Sequence, residues 1–230
     1  SSENSPASVL KSVSSAAVFD EFKSIKYGCQ SKSDEVEPYL NGRCIYLVGM
    51  MGSGKTTVGK VLSDALDYTF CDCDAQIEED VGVDTVSEIF KLYGESFFRD
   101  NETRVLMKLS SMHRLVVSTG GGAVIRPVNW RHMRTGISVW LDVPLEALAR
   151  RISAVGTDSR PLLHPQSGGV RTVTVERLSH LLEERGECYA NADVRITLEH
   201  VRAKLELEDV SSLTPRMIAF EVLVQILKFL

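Results

Sequence analysis

Long apolar runs are missing from this 230-residue sequence. No stretch approaches the roughly 20 consecutive apolar residues that a helix needs to cross a bilayer, so a soluble protein is expected. Positive charge is not in excess either: 26 Lys and Arg face 31 Asp and Glu, for a formal net charge of -5. That balance excludes nucleic-acid binding driven by overall charge. Cysteine is sparse, and its five positions (Cys29, Cys44, Cys71, Cys73, Cys188) are odd in number and lack the spacing of a disulfide framework. They fit a reducing compartment. Cys71 and Cys73 have no further metal ligands close by and read as small buried residues on one face of a strand. Internal repeats are absent, and compositional bias is confined to the start of the chain.

That start, residues 1–38, is Ser-rich and poorly periodic, and is expected to be a poorly ordered N-terminal extension. It contains acids and little arginine, so it reads as the remnant of a processed targeting segment rather than an intact transit peptide. Residues 39–230 form the expected domain. Short apolar runs at Cys44–Gly49, Tyr68–Cys73, Leu115–Thr119, Ile137–Leu141 and Val194–Leu198 alternate with amphipathic stretches. This alternation predicts an α/β fold with a mostly parallel sheet covered on both faces. Thr85 followed by Glu88 predicts a capped helix start, and Thr214-Pro215 predicts another. The last helix carries Ile218, Val222, Ile226 and Phe229 on one stripe, expected to dock on the sheet. Residues 156–178 begin polar and Pro-containing and turn helical only later, as either a mobile loop over a site or an ordinary surface connection would.

Four stretches carry chemistry. "GMMGSGKT" matches the phosphate-cradling P-loop: Gly49-x-x-x-x-Gly54-Lys55-Thr56 follows an apolar strand and precedes a helical run. Its amides and the helix N-terminus face phosphate oxygens, Lys55 reaches the β- and γ-phosphates, and the Thr56 hydroxyl suits magnesium. "FCDCD" places Asp72 and Asp74 two apart at the carboxyl end of the second strand. Read as strand residues, they share a face, as a metal-linked and a hydroxyl-directed carboxylate would. The alternative is that one of them caps the next helix. "STGGG" sets Gly120, Gly121 and Gly122 after the third strand, where side-chain-free backbone admits close ligand approach. Arg99 and Glu102 in "FFRDNE" and Arg185 in "RGECY" complete the set. Two converging arginines would suit a carboxylate-bearing acceptor, although spacing alone does not show that they converge.

Taken together, GMMGSGKT, FCDCD, FFRDNE, STGGGAV, SRPLL and RGECY, in this order and at these separations, resemble the shikimate kinase family over roughly residues 40–230. GMMGSGKTTVGK and GAVIRPVNW look most like its plant plastid members. The resemblance implies a nucleoside-monophosphate-kinase-like three-layer fold with a five-stranded parallel sheet and a lid around residues 156–172. It implies transfer of the ATP γ-phosphate to the 3-hydroxyl of shikimate, with magnesium as cofactor and a location in the plastid stroma. Carried over by motif, Gly52, Ser53, Gly54, Lys55, Thr56 and Thr57 would hold ATP, and Thr56 and Asp72 the magnesium. Asp74 would bind the shikimate hydroxyls and accept the proton. Arg99, Arg185 and Gly120–Gly122 would hold the carboxylate, with Glu102 supporting the arginines. Arg160 would reach the phosphates from the lid, and Arg151 would lie beside the nucleotide. The expected partners are ATP and shikimate, without nucleic acid or membrane. Glu187 stands where many bacterial members have proline, and Cys71 where an aromatic or small residue is more usual. The rival readings are a related small-metabolite kinase, such as a gluconate kinase, and a non-catalytic paralogue acting through protein partners.

Overall fold

The structure, a computed structural model, describes residues 15–155 and 170–230, with backbone alone for 15–27, 155 and 170–174. Five parallel strands, β1 (Ile45–Val48), β2 (Thr69–Asp72), β3 (Leu115–Ser118), β4 (Ile137–Asp142) and β5 (Val194–Thr197), form one sheet in the order β2-β3-β1-β4-β5. Each lies within one residue, at either end, of the strand expected from the sequence. Every residue of β1 and β3 is buried, which requires cover on both faces of the sheet. The expected α/β architecture is borne out.

The helices are α1 (Ser15–Leu40), α2 (Lys55–Leu66), α3 (Cys73–Val81), α4 (Val86–Leu109), α5 (Pro127–Met133), α6 (Leu145–Val155), α7 (Val170–Tyr189), α8 (Leu198–Lys204) and α9 (Pro215–Phe229). None among the described residues is long and apolar enough to cross a membrane. Helix α2 buries Val58, Leu62 and Leu66 at helical spacing against the sheet. Gly59 lets it approach closely, since a Cβ there would sit 2.7 Å from the Phe70 ring.

Both expected caps are present. Thr85 Oγ1 accepts from Glu88 N at 3.1 Å and Thr214 Oγ1 from Met217 N at 3.2 Å. Ile218, Val222 and Ile226 are buried, but Phe229 is exposed at the chain end. The α9 stripe docks chiefly on α1 and α2 and touches the sheet through β5.

The N-terminal segment departs from expectation. Of the expected poorly ordered arm, residues 1–14 lie outside the described residues; from Ser15 the chain forms α1, and Cys29, Ser33, Val36 and Leu40 are buried on one face. Ser33 Oγ donates to Ala65 O at 2.7 Å, and the Cys29 thiol to Arg216 O at 3.4 Å. Arg114 pairs with Glu37 at 3.1 Å. The stripe is only four residues wide in a polar, Ser-rich segment, so hydrophobic periodicity does not reveal it. Pro38, which reads as a breaker, falls in the last turn.

If α1 is part of the core, Leu40→Ala lowers unfolding stability by about 2–4 kcal/mol through lost burial and a residual cavity. Urea denaturation measures this; a change within about 0.5 kcal/mol would mean that α1 is not docked.

Candidate active site

The site lies at the carboxyl ends of β1, β2 and β3, where parallel sheets bind ligands. Beyond β1, the loop turns into α2 at Gly54, whose φ of 94° is in the left-handed region that glycine adopts freely. The buried Lys55 ammonium donates to Gly49 O at 2.8 Å and Met50 O at 3.0 Å. Arg151, from α6, donates to Gly52 O at 3.2 Å and Ser53 O at 3.3 Å, which fixes its guanidinium beside the loop. The Thr57 hydroxyl donates to Gly54 O at 3.0 Å.

The two aspartates meet the cleft by a route other than strand alternation. β2 ends at Asp72, and Asp74 lies in the first turn of α3. Cys73, expected on the strand with Cys71, is likewise helical and fully buried. Asp72 caps α3: its Oδ1 accepts from Asp74 N at 3.0 Å and Ala75 N at 3.4 Å. Its other oxygen accepts from Thr56 Oγ1 at 3.0 Å. One carboxylate therefore serves as helix cap and also faces the P-loop hydroxyl. Ser118 Oγ, 3.4 Å from Thr56 Oγ1, joins this oxygen set.

Magnesium takes few protein ligands and keeps water and phosphate oxygens. A hydroxyl, a carboxylate and a second hydroxyl fit that habit. Among the described residues, no group of three or more His, Cys, Asp or Glu converges as an all-protein metal cage would require.

The acceptor side is built from the second part of α4, after a break at Gly94 (φ 84°, ψ 169°). Arg99 is 7% exposed and Glu102 0%. Arg99 Nη1 donates to Glu102 Oε2 at 2.8 Å, while Nε and Nη2 donate to Glu95 Oε1 at 3.3 and 3.2 Å. Arg185, 3% exposed, reaches the same cleft from α7. The two arginines do converge.

The glycine run is their floor. A Cβ on Gly120 would lie 2.6 Å from Glu102 Oε1 and 2.9 Å from Asp74 Oδ1, and one on Gly122 would strike the Arg99 guanidinium. Asp74 Oδ1, Glu102 Oε1 and Arg185 Nε are all buried without a hydrogen-bond partner. Groups of this kind are costly to bury unpaired, and their clustering marks a place where a polar ligand belongs.

Burial pushes the Asp74 carboxyl up to about 7, helped by the negative charges of Asp72 and Glu102 and opposed by Lys55 and Arg99. Burial also raises Glu102, against the pull of Arg99.

One cleft of about 620 Å³ is lined by Lys55, Thr56 and Arg151 of the phosphate side together with Asp72, Asp74, Arg99 and Arg185, while Glu102 lies buried behind Arg99. Arg160 and most of the expected lid, residues 156–169, lie outside the described residues. Sequence reasoning named the glycines of STGGG but not Ser118. It also passed over Met51, Phe90 and Phe98, which line the cleft. Phe98 stood within a quoted motif, but an aromatic residue beside an arginine has no distinctive signature.

A P-loop on the central strand, opposite a pocket with paired arginines, defines a P-loop kinase of small anionic acceptors. The family model described as shikimate kinase matches residues 51–225. The chain is 61% identical over its full length to the chloroplastic shikimate kinase of Solanum lycopersicum, covering 75% of that protein. It is 61% identical over 86% of its length to chloroplastic shikimate kinase 1 of Arabidopsis thaliana, covering 66% of it. The solved shikimate kinase of Acinetobacter baumannii in complex with shikimate superimposes with a TM-score of 0.71 at 34% identity, over 85% of this chain and 97% of that one. The chain belongs to the shikimate kinase family.

The raised Asp74 pKa makes a stability prediction for the protein without nucleotide or divalent metal. Between its ordinary value of 3.8 and about 7, the folded chain holds a proton that the unfolded chain has released. Stability therefore falls as pH rises across that window, and the full cost persists above it. Asp74→Asn removes the cost: the variant exceeds the parent by about 1–3 kcal/mol at pH 8 and matches it near pH 4. Equal denaturation midpoints at both pH values would mean that Asp74 titrates normally.

Proposed function

We propose that this chain transfers the γ-phosphoryl group of ATP to the 3-hydroxyl of shikimate. The observation that carries this reading is the convergence of Arg99 and Arg185, both buried, in the cleft that the P-loop opens into. Such a pair suits a rigid acceptor bearing a carboxylate, and the family match favours shikimate over gluconate as that acceptor. The arginine pair and Asp74 are also what a non-catalytic paralogue would be free to lose.

In this reading the loop amides of Gly52–Thr57 and Lys55 hold the phosphates, with Arg151 beside them and Arg160 reaching the transferring group from a lid around residues 156–172. Thr56 and Asp72 would hold magnesium, which supplies neutralisation of phosphate charge when bound. Arg99, Arg185 and the Gly120–Gly122 backbone hold the acceptor carboxylate, and Glu102 keeps Arg99 in place. Asp74 faces the hydroxyls. Its unpartnered Oδ1 is ready to accept a hydrogen bond from the reacting hydroxyl, to align it and take its proton. Positioning and charge stabilisation then account for the rate. The chloroplastic names of the relatives support a plastid location.

The test is ADP release with ATP and magnesium, with and without shikimate, and with gluconate as a control acceptor. Release dependent on shikimate is expected; nucleotide binding without it would remove the acceptor assignment. Asp74→Asn loses about 10²-fold or more in kcat while ATP still binds, and near-normal turnover would take Asp74 out of the mechanism. Arg99→Ala raises the shikimate KM, by about 2–5 kcal/mol in binding if a buried charge pair is broken. An unchanged KM would refute its role.

A further inference from the structure

We propose that Tyr189 is a positioning residue for the acceptor side: its hydroxyl ties the Gly120–Gly122 loop and the Arg185-bearing end of α7 to the P-loop. Tyr189 closes the RGECY stretch, in which only Arg185 is expected to touch substrate. Tyr189 is completely buried at the last position of α7, one turn after Arg185. Its hydroxyl donates to Gly121 O at 2.5 Å and lies 3.6 Å from the sulfur of Met50, inside the P-loop. Arg185 lies one turn earlier on the same helix, and its positive charge pulls the phenol's pKa down against the upward push of burial. The two loops also touch directly, since a Cβ on Gly121 would stand 3.3 Å from Met51 N. One phenol therefore contacts the phosphate loop and the glycine floor, from the helix end that carries the second arginine.

The ring is clamped independently of the hydroxyl. It stacks on Trp140 at 5.7 Å and 17°, and Arg195 lies 4.3 Å from the Trp140 ring centroid while pairing with Asp142 at 2.7 Å. Removing the oxygen alone should leave the ring in place and release the loop and the Arg185 turn. Burial pushes the phenol up to about 12, so the hydroxyl stays a donor across the working pH range.

This inference rests on reading Arg185 and the glycine loop as acceptor-binding, so wild-type ADP release is measured first. If shikimate does not stimulate it, the proposed function fails and takes the role of Tyr189 with it. If it does, Tyr189→Phe is compared with wild type for both KM values and for melting temperature. The expected result is a five- to twentyfold rise in shikimate KM with the ATP KM within twofold. A purely structural hydroxyl would lower the melting temperature and leave both KM values unchanged, which overturns the proposal but not the function. Nucleotide binding in the same sample serves as the folding control, and a variant unable to bind ATP would also overturn it. Combined with Arg185→Lys, the effects on shikimate KM should be less than additive. Full additivity would refute the route through Arg185.

Discussion

A carboxylate with no exposed surface, Glu102, accepts from the Arg99 guanidinium at 2.8 Å, and the acceptor half of the cleft is arranged around that pair. Desolvating two charges offsets most of their attraction, so a buried ion pair is weak evidence of stabilisation. What it does provide here is a fixed direction. Glu102 takes the Nη1 donor and Glu95 takes both Nε and Nη2, which holds the guanidinium against Gly122. Glu102 keeps its second oxygen unpaired over Gly120, beside the unpaired oxygen of Asp74. The molecule thus holds incompletely satisfied polar atoms together in one corner, and a polar ligand would complete them.

The fold brings this corner within reach of a triphosphate by short connections at one sheet edge. β1 and β3 are hydrogen-bonded neighbours, so the P-loop and the glycine run emerge side by side. Thr119 reinforces the junction, its hydroxyl donating to Leu47 O at 2.9 Å. β2, beyond β3, delivers Asp72 to Thr56, and the capping geometry of Asp72 sets where Asp74 falls. Donor and acceptor halves are therefore coupled through backbone and caps, which are stiffer than long side chains, and Tyr189 spans the same seam from α7.

Much of the site was legible because its chemistry depends on local backbone. A P-loop needs its glycines, lysine and threonine at fixed offsets, and a glycine run that receives buried side chains needs three residues without Cβ atoms. The strands were legible because apolar runs between helical stretches have few alternative uses. Other features were not. The polar α1 hides a four-residue stripe that matters only once α2 and α9 are there to receive it. Asp74 was expected on a strand because its spacing from Asp72 fits alternation, yet the cap formed by Asp72 starts a helix instead. Ser118 and Tyr189 lie in or next to recognisable motifs, but their roles depend on partners 62 and 68 residues away.

The sequence by itself determined the sheet, the phosphate-binding loop and the inventory of charged groups, because each rests on patterns closed within a dozen residues. Whether Arg99 and Arg185 face one ligand was decided only by the tertiary structure. They stand 86 residues apart in the chain, on different helices, and their convergence depends on the break at Gly94, the floor at Gly122 and the docking of α7. The raised Asp74 pKa was decided there as well, since desolvation and like-charge neighbours exist only after the chain has closed around it.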